Sequence, residues 1–121
     1  MIAVDTYVVV RFLTAGGPRQ HQLAVDLFRK HPILLPKTVA VECEWVLRSL
    51  YRLEPAEIAR AFRALLSLPD LQCEDEVSIL AGIEALENGL DLADAVHLAS
   101  ARRADGFASF DRRFLREAKK L

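Results

Sequence analysis

Four carboxylates stand beside short apolar runs, where strands are expected to end or helices to begin: Asp5, Glu42, Asp94 and Asp111. Asp5 closes Met1-Ile2-Ala3-Val4, and Glu42 interrupts the run from Val39 to Leu47. Asp94 lies within Gly89-Leu90-Asp91-Leu92-Ala93-Asp94-Ala95, and Asp111 ends Phe107-Ala108-Ser109-Phe110. A carboxylate at the edge of a core is costly unless it is paired or binds a cation. If the four converge, a divalent cation is the natural compensation, and hard oxygen donors suit Mg2+ or Mn2+. Such an ion lowers the pKa of a bound water and neutralises charge on phosphoryl oxygens. The set therefore fits an enzyme that hydrolyses phosphodiesters. Acyl transfer fits less well, because no Ser-His or Cys-His pairing is evident.

Each acid also has a purely structural reading. Asp5 and Asp111 can cap the helices that follow them. Glu42 can be a surface position, although apolar neighbours on nearly every side argue against exposure. Asp91 and Asp94 have the spacing of a reciprocal N-terminal cap. That role suits Asp91, and it leaves Asp94 in a first turn, where the helix dipole favours negative charge. The joint placement of all four carries the functional reading. Thr6 and Ser109 stand close enough in sequence to support the site, or to act only as caps. His97 follows Asp94 by three residues, and a lone His on an apolar helix is more often packed in the core. Arg11 lies two turns beyond Asp5. Arg102, Arg103, Arg112, Arg113, Arg116, Lys119 and Lys120 gather in the last third, where they can meet an RNA backbone or form a solvated helix face.

The elements that must position these residues alternate. Residues 2–5, 33–35, 71–74 and 107–110 read as short strands, the first two buried. Residues 6–13 are ambiguous: Val8-Val9-Val10 favours strand, while Thr6 is a good N-cap. Helices are expected over 20–30, 38–52 (capped by Thr38, with Val39, Val46, Leu47 and Leu50 inward), from Pro55 to a stop before Pro69 (using Ile58, Ala61, Phe62, Leu65 and Leu66), 77–88 (Ile79, Leu80, Ile83 and Leu86 inward), 91–104 and 112–120. Pro55 suits a first helical turn, and Asn88-Gly89 suits a helix end. Short strands alternating with longer helices indicate an α/β fold, a parallel sheet with helices on both faces. Ligands in such sheets bind beyond the carboxyl ends of the strands, where strand order reverses.

The 121 residues form one expected domain, 1–121, able to bury about two-thirds of its unfolded surface without a staple. A net charge of −1 excludes a global basic field, so nucleic-acid contact must be local and no direct DNA binding is expected. Cys43 and Cys73 lack metal-ligand spacing and read as buried, reduced thiols of a cytoplasmic protein. Neither a secretory leader nor a membrane-spanning run is expected.

Four stretches carry a family resemblance. Ile2-Ala3-Val4-Asp5-Thr6 looks like the opening strand and first acid of the PIN-domain ribonucleases, most closely the VapC toxins of toxin–antitoxin pairs. Val41-Glu42-Cys43-Glu44-Trp45-Val46-Leu47 resembles their second motif, in a register that selects Glu42 over Glu44. Leu90 to Ala99 resembles the third, with Asp94 as the acid before Ala95, and Ser109-Phe110-Asp111 resembles the fourth. The resemblance implies a three-layer α/β/α fold around a short-stranded parallel sheet. It further implies Mg2+- or Mn2+-dependent RNA cleavage at Asp5, Glu42, Asp94 and Asp111, homodimerisation, and neutralisation by a cognate antitoxin. Two departures stand out. Tyr7 occupies the place of a common Asn, and the chain ends at Leu121 where a short final strand usually follows.

Two competing readings use the same residues. A catalytically inactive binding module on the same fold is supported by Tyr7. A Mg2+-dependent aspartyl-phosphate or phosphatase domain is disfavoured by spacing: a phosphatase of that kind needs a second Asp where Tyr7 stands, and a receiver needs its acceptor Asp after a middle strand.

Overall fold

A computed structural model describes residues 1–120; Leu121, the last residue of the expected domain, lies outside them. Strand β1 (Ile2–Ala3) leads into α1 (Thr6–Leu13) and α2 (Pro18–Lys30). Strand β2 (Ile33–Leu35) leads into α3 (Lys37–Ser49) and α4 (Pro55–Leu66), and β3 (Leu71–Cys73) into α5 (Glu76–Glu87), α6 (Leu92–Ser100) and α7 (Arg112–Ala118). The three strands are parallel in the order β1-β2-β3, with Ile2 opposite Ile33 and Leu34 opposite Gln72. The architecture is α/β, in the three-layer α/β/α arrangement with a short parallel sheet.

The ambiguity at residues 6–13 resolves as helix. Asp5 supplies the N-cap, its carboxylate accepting from the Val8 backbone at 3.2 Å, so Thr6 is the first helical residue and not the cap. Val9 and Val10 face a core that includes Ile33, Leu35, Leu47, Ile58, Phe62 and Ile83. Burial of that face outweighs the modest helix penalty of β-branched residues. Helix α4 begins at Pro55 with Glu54 and Glu57 exchanging hydrogen bonds as a capping box. Helix α5 ends at Asn88, followed by Gly89 in the left-handed region. Helices α5 and α6 pack most extensively of all. Gly82 permits this, since a Cβ there would lie 2.8 Å from Val96 and 3.2 Å from Leu92.

Several expectations are corrected. Residues 107–110 form no strand, because among the described residues no strand offers that segment hydrogen bonds. The segment instead feeds α7: the Phe107 ring packs on Phe114 at 4.9 Å, and Phe110 is fully exposed. Strand β1 is consequently an edge strand, and its two residues are exposed, not buried. Strand order does not reverse among the described strands, so Asp5 follows an edge strand and no switch point. Helix α3 starts one residue earlier than expected, with Pro36 and not Thr38 at its N-cap. Leu50 and Leu80 point outward, because α3 ends before Leu50 and the inward face of α5 is taken by Ile79, Ile83 and Leu86. Cys43 is buried and Cys73 only half-buried, both free. No helix among the described residues is long and apolar enough to cross a membrane.

Candidate active site

Asp5 follows β1 directly, and its cap bond uses only Oδ1. Thr6, buried at the start of α1, donates its hydroxyl to Oε1 of Glu42 on α3, a contact across 36 residues of chain. Glu42 is exposed, contrary to what its apolar neighbours suggested, because α3 buries Ala40, Cys43, Val46 and Leu47 on the opposite side. Glu44 is the buried acid of this helix, 3% exposed, and it is held by Arg48 Nε at 3.1 Å. The two glutamates thus differ in partner: Glu44 is engaged within α3, while Glu42 meets the start of α1. Beneath them, burial and then the charges of Glu42 and Asp5 push the Cys43 thiol up to about 12, which keeps it protonated. Both carboxylates therefore bear on one point under the start of α1.

The second pair forms around α6 and α7. Asp91 caps α6 through the Ala93 backbone at 3.0 Å, without the reciprocal bond from Asp94. Asp94 stands half-buried in the first turn. Its carboxyl is raised above the ordinary value by burial first and then by Asp91, with Asp111 and Glu117 adding to the rise and His97 opposing it. Asp111 caps α7 through Oδ1, accepting from Phe114 at 3.1 Å. Ser109 accepts the Asp111 backbone N–H at 3.0 Å, which sets the chain direction into α7. His97 is exposed and not packed in the core, since α6 buries Leu92, Ala95 and Val96 instead.

Asp5 thus shares surroundings with Glu42, and Asp94 with Asp111. Among the described residues no three His, Cys, Asp or Glu side chains converge closely enough to enclose an ion. The donor set nonetheless suits a hard divalent cation. Magnesium keeps most of its waters and takes one or two protein carboxylates. The capping bonds of Asp5 and Asp111 each leave a second oxygen for a ligand. The upward shift of Asp94 comes first from burial and then from neighbouring carboxylates, and a bound cation would offset both.

A family comparison bears directly on this arrangement: the PIN domain model matches residues 2–120. The chain belongs to the PIN domain family. PIN domains are generally metal-dependent nucleases, so membership points to nuclease activity. No curated protein and no solved structure matches the chain significantly.

Some partners in this PIN domain have no local sequence signal. Glu117 joins the surroundings of Asp94 from α7, where it also pairs with Arg113 Nε at 3.1 Å. Arg11 is held by Gln20 Oε1 at 2.7 Å and by the Tyr51 hydroxyl. Lys37, just beyond β2, reaches Asp75, just beyond β3, at 3.0 Å, and Arg102 approaches the same carboxylate at 3.7 Å. The Ser78 and Lys37 hydrogen bonds hold Asp75 down to about 2. Arg112 and Arg113 occupy the first turn of α7, next to Asp111. There the helix dipole disfavours positive charge; Arg113 is offset by its pair with Glu117 one turn on, whereas Arg112 gains nothing from the dipole.

Proposed function

We propose that the chain is a metal-dependent endoribonuclease of the VapC toxin type, residues 1–121 acting as one PIN domain. The observation that carries this reading is the hydrogen bond by which Thr6, next to Asp5, holds Glu42; a second acidic group, Asp94 with Asp91 and Asp111, supports it. Asp5, Glu42, Asp94 and Asp111 would hold Mg2+ or Mn2+. When bound, the ion supplies charge neutralisation at the phosphodiester and a more acidic water.

The chain's own residues supply the rest. Thr6 fixes the direction of the Glu42 carboxylate. The caps at Asp5 and Asp111 anchor each acid to the helix behind it. Arg112 and Arg113 place positive charge beside Asp111, where RNA phosphates would otherwise meet only carboxylates. Exposed Trp45 and Leu50 near the end of α3 support a homodimer. Neutralisation by a cognate antitoxin follows from the resemblance to the VapC toxins. Tyr7, in place of the usual Asn, favours the second reading, an inactive PIN-fold binding module.

The deciding variant is Asp5→Asn. Asparagine caps helices as well as aspartate, so α1 is retained while the charge is lost. RNA cleavage with Mg2+ is expected to fall more than about 100-fold, beyond the loss typical of an outer-shell partner. A folded Asp5→Asn protein that cuts RNA at the parent rate overturns the reading.

A further inference from the structure

A cleft of about 420 Å³ runs between α1 and α2 and opens at Asp5. Its walls include Tyr7, Arg11, Gln20, Leu23 and Leu27. The volume falls in the range of small-ligand sites. Tyr7 is 50% exposed, whereas Val9 and Val10 of the same helix are fully buried, so half of the Tyr7 side chain stays outside the core. Arg11 stands over its ring at 6.0 Å. That guanidinium is itself fixed by Gln20 from α2 and by Tyr51 beyond α3. An aromatic platform and a preset cation thus flank the first acid of the candidate site.

We infer that Tyr7 and Arg11 form the subsite for the nucleotide flanking the scissile phosphate, Tyr7 stacking its base and Arg11 pairing its phosphate. The inference rests on the nuclease reading and names part of what that site recognises. Stacking on an aromatic ring tolerates any base, and Arg11, with Nε given to Gln20 and Nη1 to Tyr51, keeps its Nη2 donors for a phosphate. A peptide helix would instead need a broad apolar stripe, and here a carboxylate and a guanidinium interrupt the apolar lining. The usual polar residue at position 7 is thereby exchanged for one that reads a base face.

The test uses the intact protein in EDTA with short RNAs carrying 2-aminopurine at successive positions. The wild-type protein is expected to quench the probe at one position beside the cleavage site. Tyr7→Leu is expected to abolish that quench and weaken binding about ten-fold. Tyr7→Trp is expected to keep both, and an RNA abasic at that position should bind wild type and Tyr7→Leu equally. Thermal melts establish that each variant is folded. No position-specific quench in the wild type, or an unchanged quench in Tyr7→Leu, overturns the inference. So does a Tyr7→Leu protein that loses a peptide partner while binding RNA normally, since the cleft is then a protein dock. Cleavage of the same RNAs with Mg2+ separates the two readings. Quenching that depends on Tyr7 without any cleavage keeps Tyr7 as a base-stacking platform and removes the nuclease reading, whereas cleavage without quenching keeps the nuclease and overturns the subsite.

Discussion

The Thr6 hydroxyl donates to the Glu42 carboxylate, joining the first residue of α1 to the second turn of α3. Thr6 is buried and Glu42 exposed, so the bond holds a solvent-facing acid from beneath. Thr6→Val keeps the branched shape and removes the donor. Stability should fall by about 1 kcal/mol, the usual net worth of one hydrogen bond. RNA cleavage should fall about ten-fold, in the range for outer-shell partners of metal sites. Chemical denaturation and cleavage rates measured on the same preparation check both numbers.

Asp94 has a linked effect on stability. Its folded pKa is raised, so the folded state holds this proton more tightly than the unfolded state does. The resulting penalty is absent below the unfolded value of about 4 and complete above the folded value. Metal-free Asp94→Asn should therefore have a higher Tm than wild type at pH 7, and the gap should close below about pH 4. Millimolar Mn2+ should raise the wild-type Tm and raise that of Asp94→Asn less, because only native-state binding stabilises. A variant that melts below wild type at pH 7 contradicts the crowding around Asp94.

Asp75 gives the opposite sign. Hydrogen bonds from Ser78 and Lys37 hold its folded pKa near 2, below the unfolded value. The stability it contributes is complete above about pH 4 and is lost as pH falls from there toward 2. Asp75→Asn should lower the Tm at pH 7 and flatten the Tm profile across that acid window. Asn also tolerates the left-handed backbone at this position, where φ is 49°, so the variant removes the charge and one acceptor oxygen without adding backbone strain.

Gly82→Ala tests the packing that carries Asp94. A methyl at 2.8 Å from Val96, a stiff β-branched side chain on α6, cannot be accommodated by rotation alone. Overpacking costs typically about 1–3 kcal/mol, against a helix-propensity gain of about 1 kcal/mol from alanine. A net loss is expected, with weaker metal-dependent stabilisation because α6 shifts. A Gly82→Ala protein more stable than wild type would show that α5 and α6 have room to separate.

Local chemistry made much of this chain legible from its residues alone. Caps operate over two or three residues, so Asp91 and Asp111 were readable as caps in their own stretches. Helical periodicity operates over a few turns, so Ile58, Phe62 and Leu65 marked the buried face of α4. The run at residues 107–110 failed as a strand because strand propensity needs a partner edge, which no local pattern specifies.

The residue types in the chain determined the alternation of strands and helices and the acids beside them, oxygen donors of the kind that suits a hard cation. Tertiary structure alone decided that Glu42 faces outward under the hold of Thr6 while Glu44, two residues on, is buried. It also decided that Arg11 is fixed by residues nine and forty positions away, beside Tyr7. Caps and periodicity act between near neighbours in the chain, whereas these contacts exist only after α1, α2 and α3 have packed on a common core.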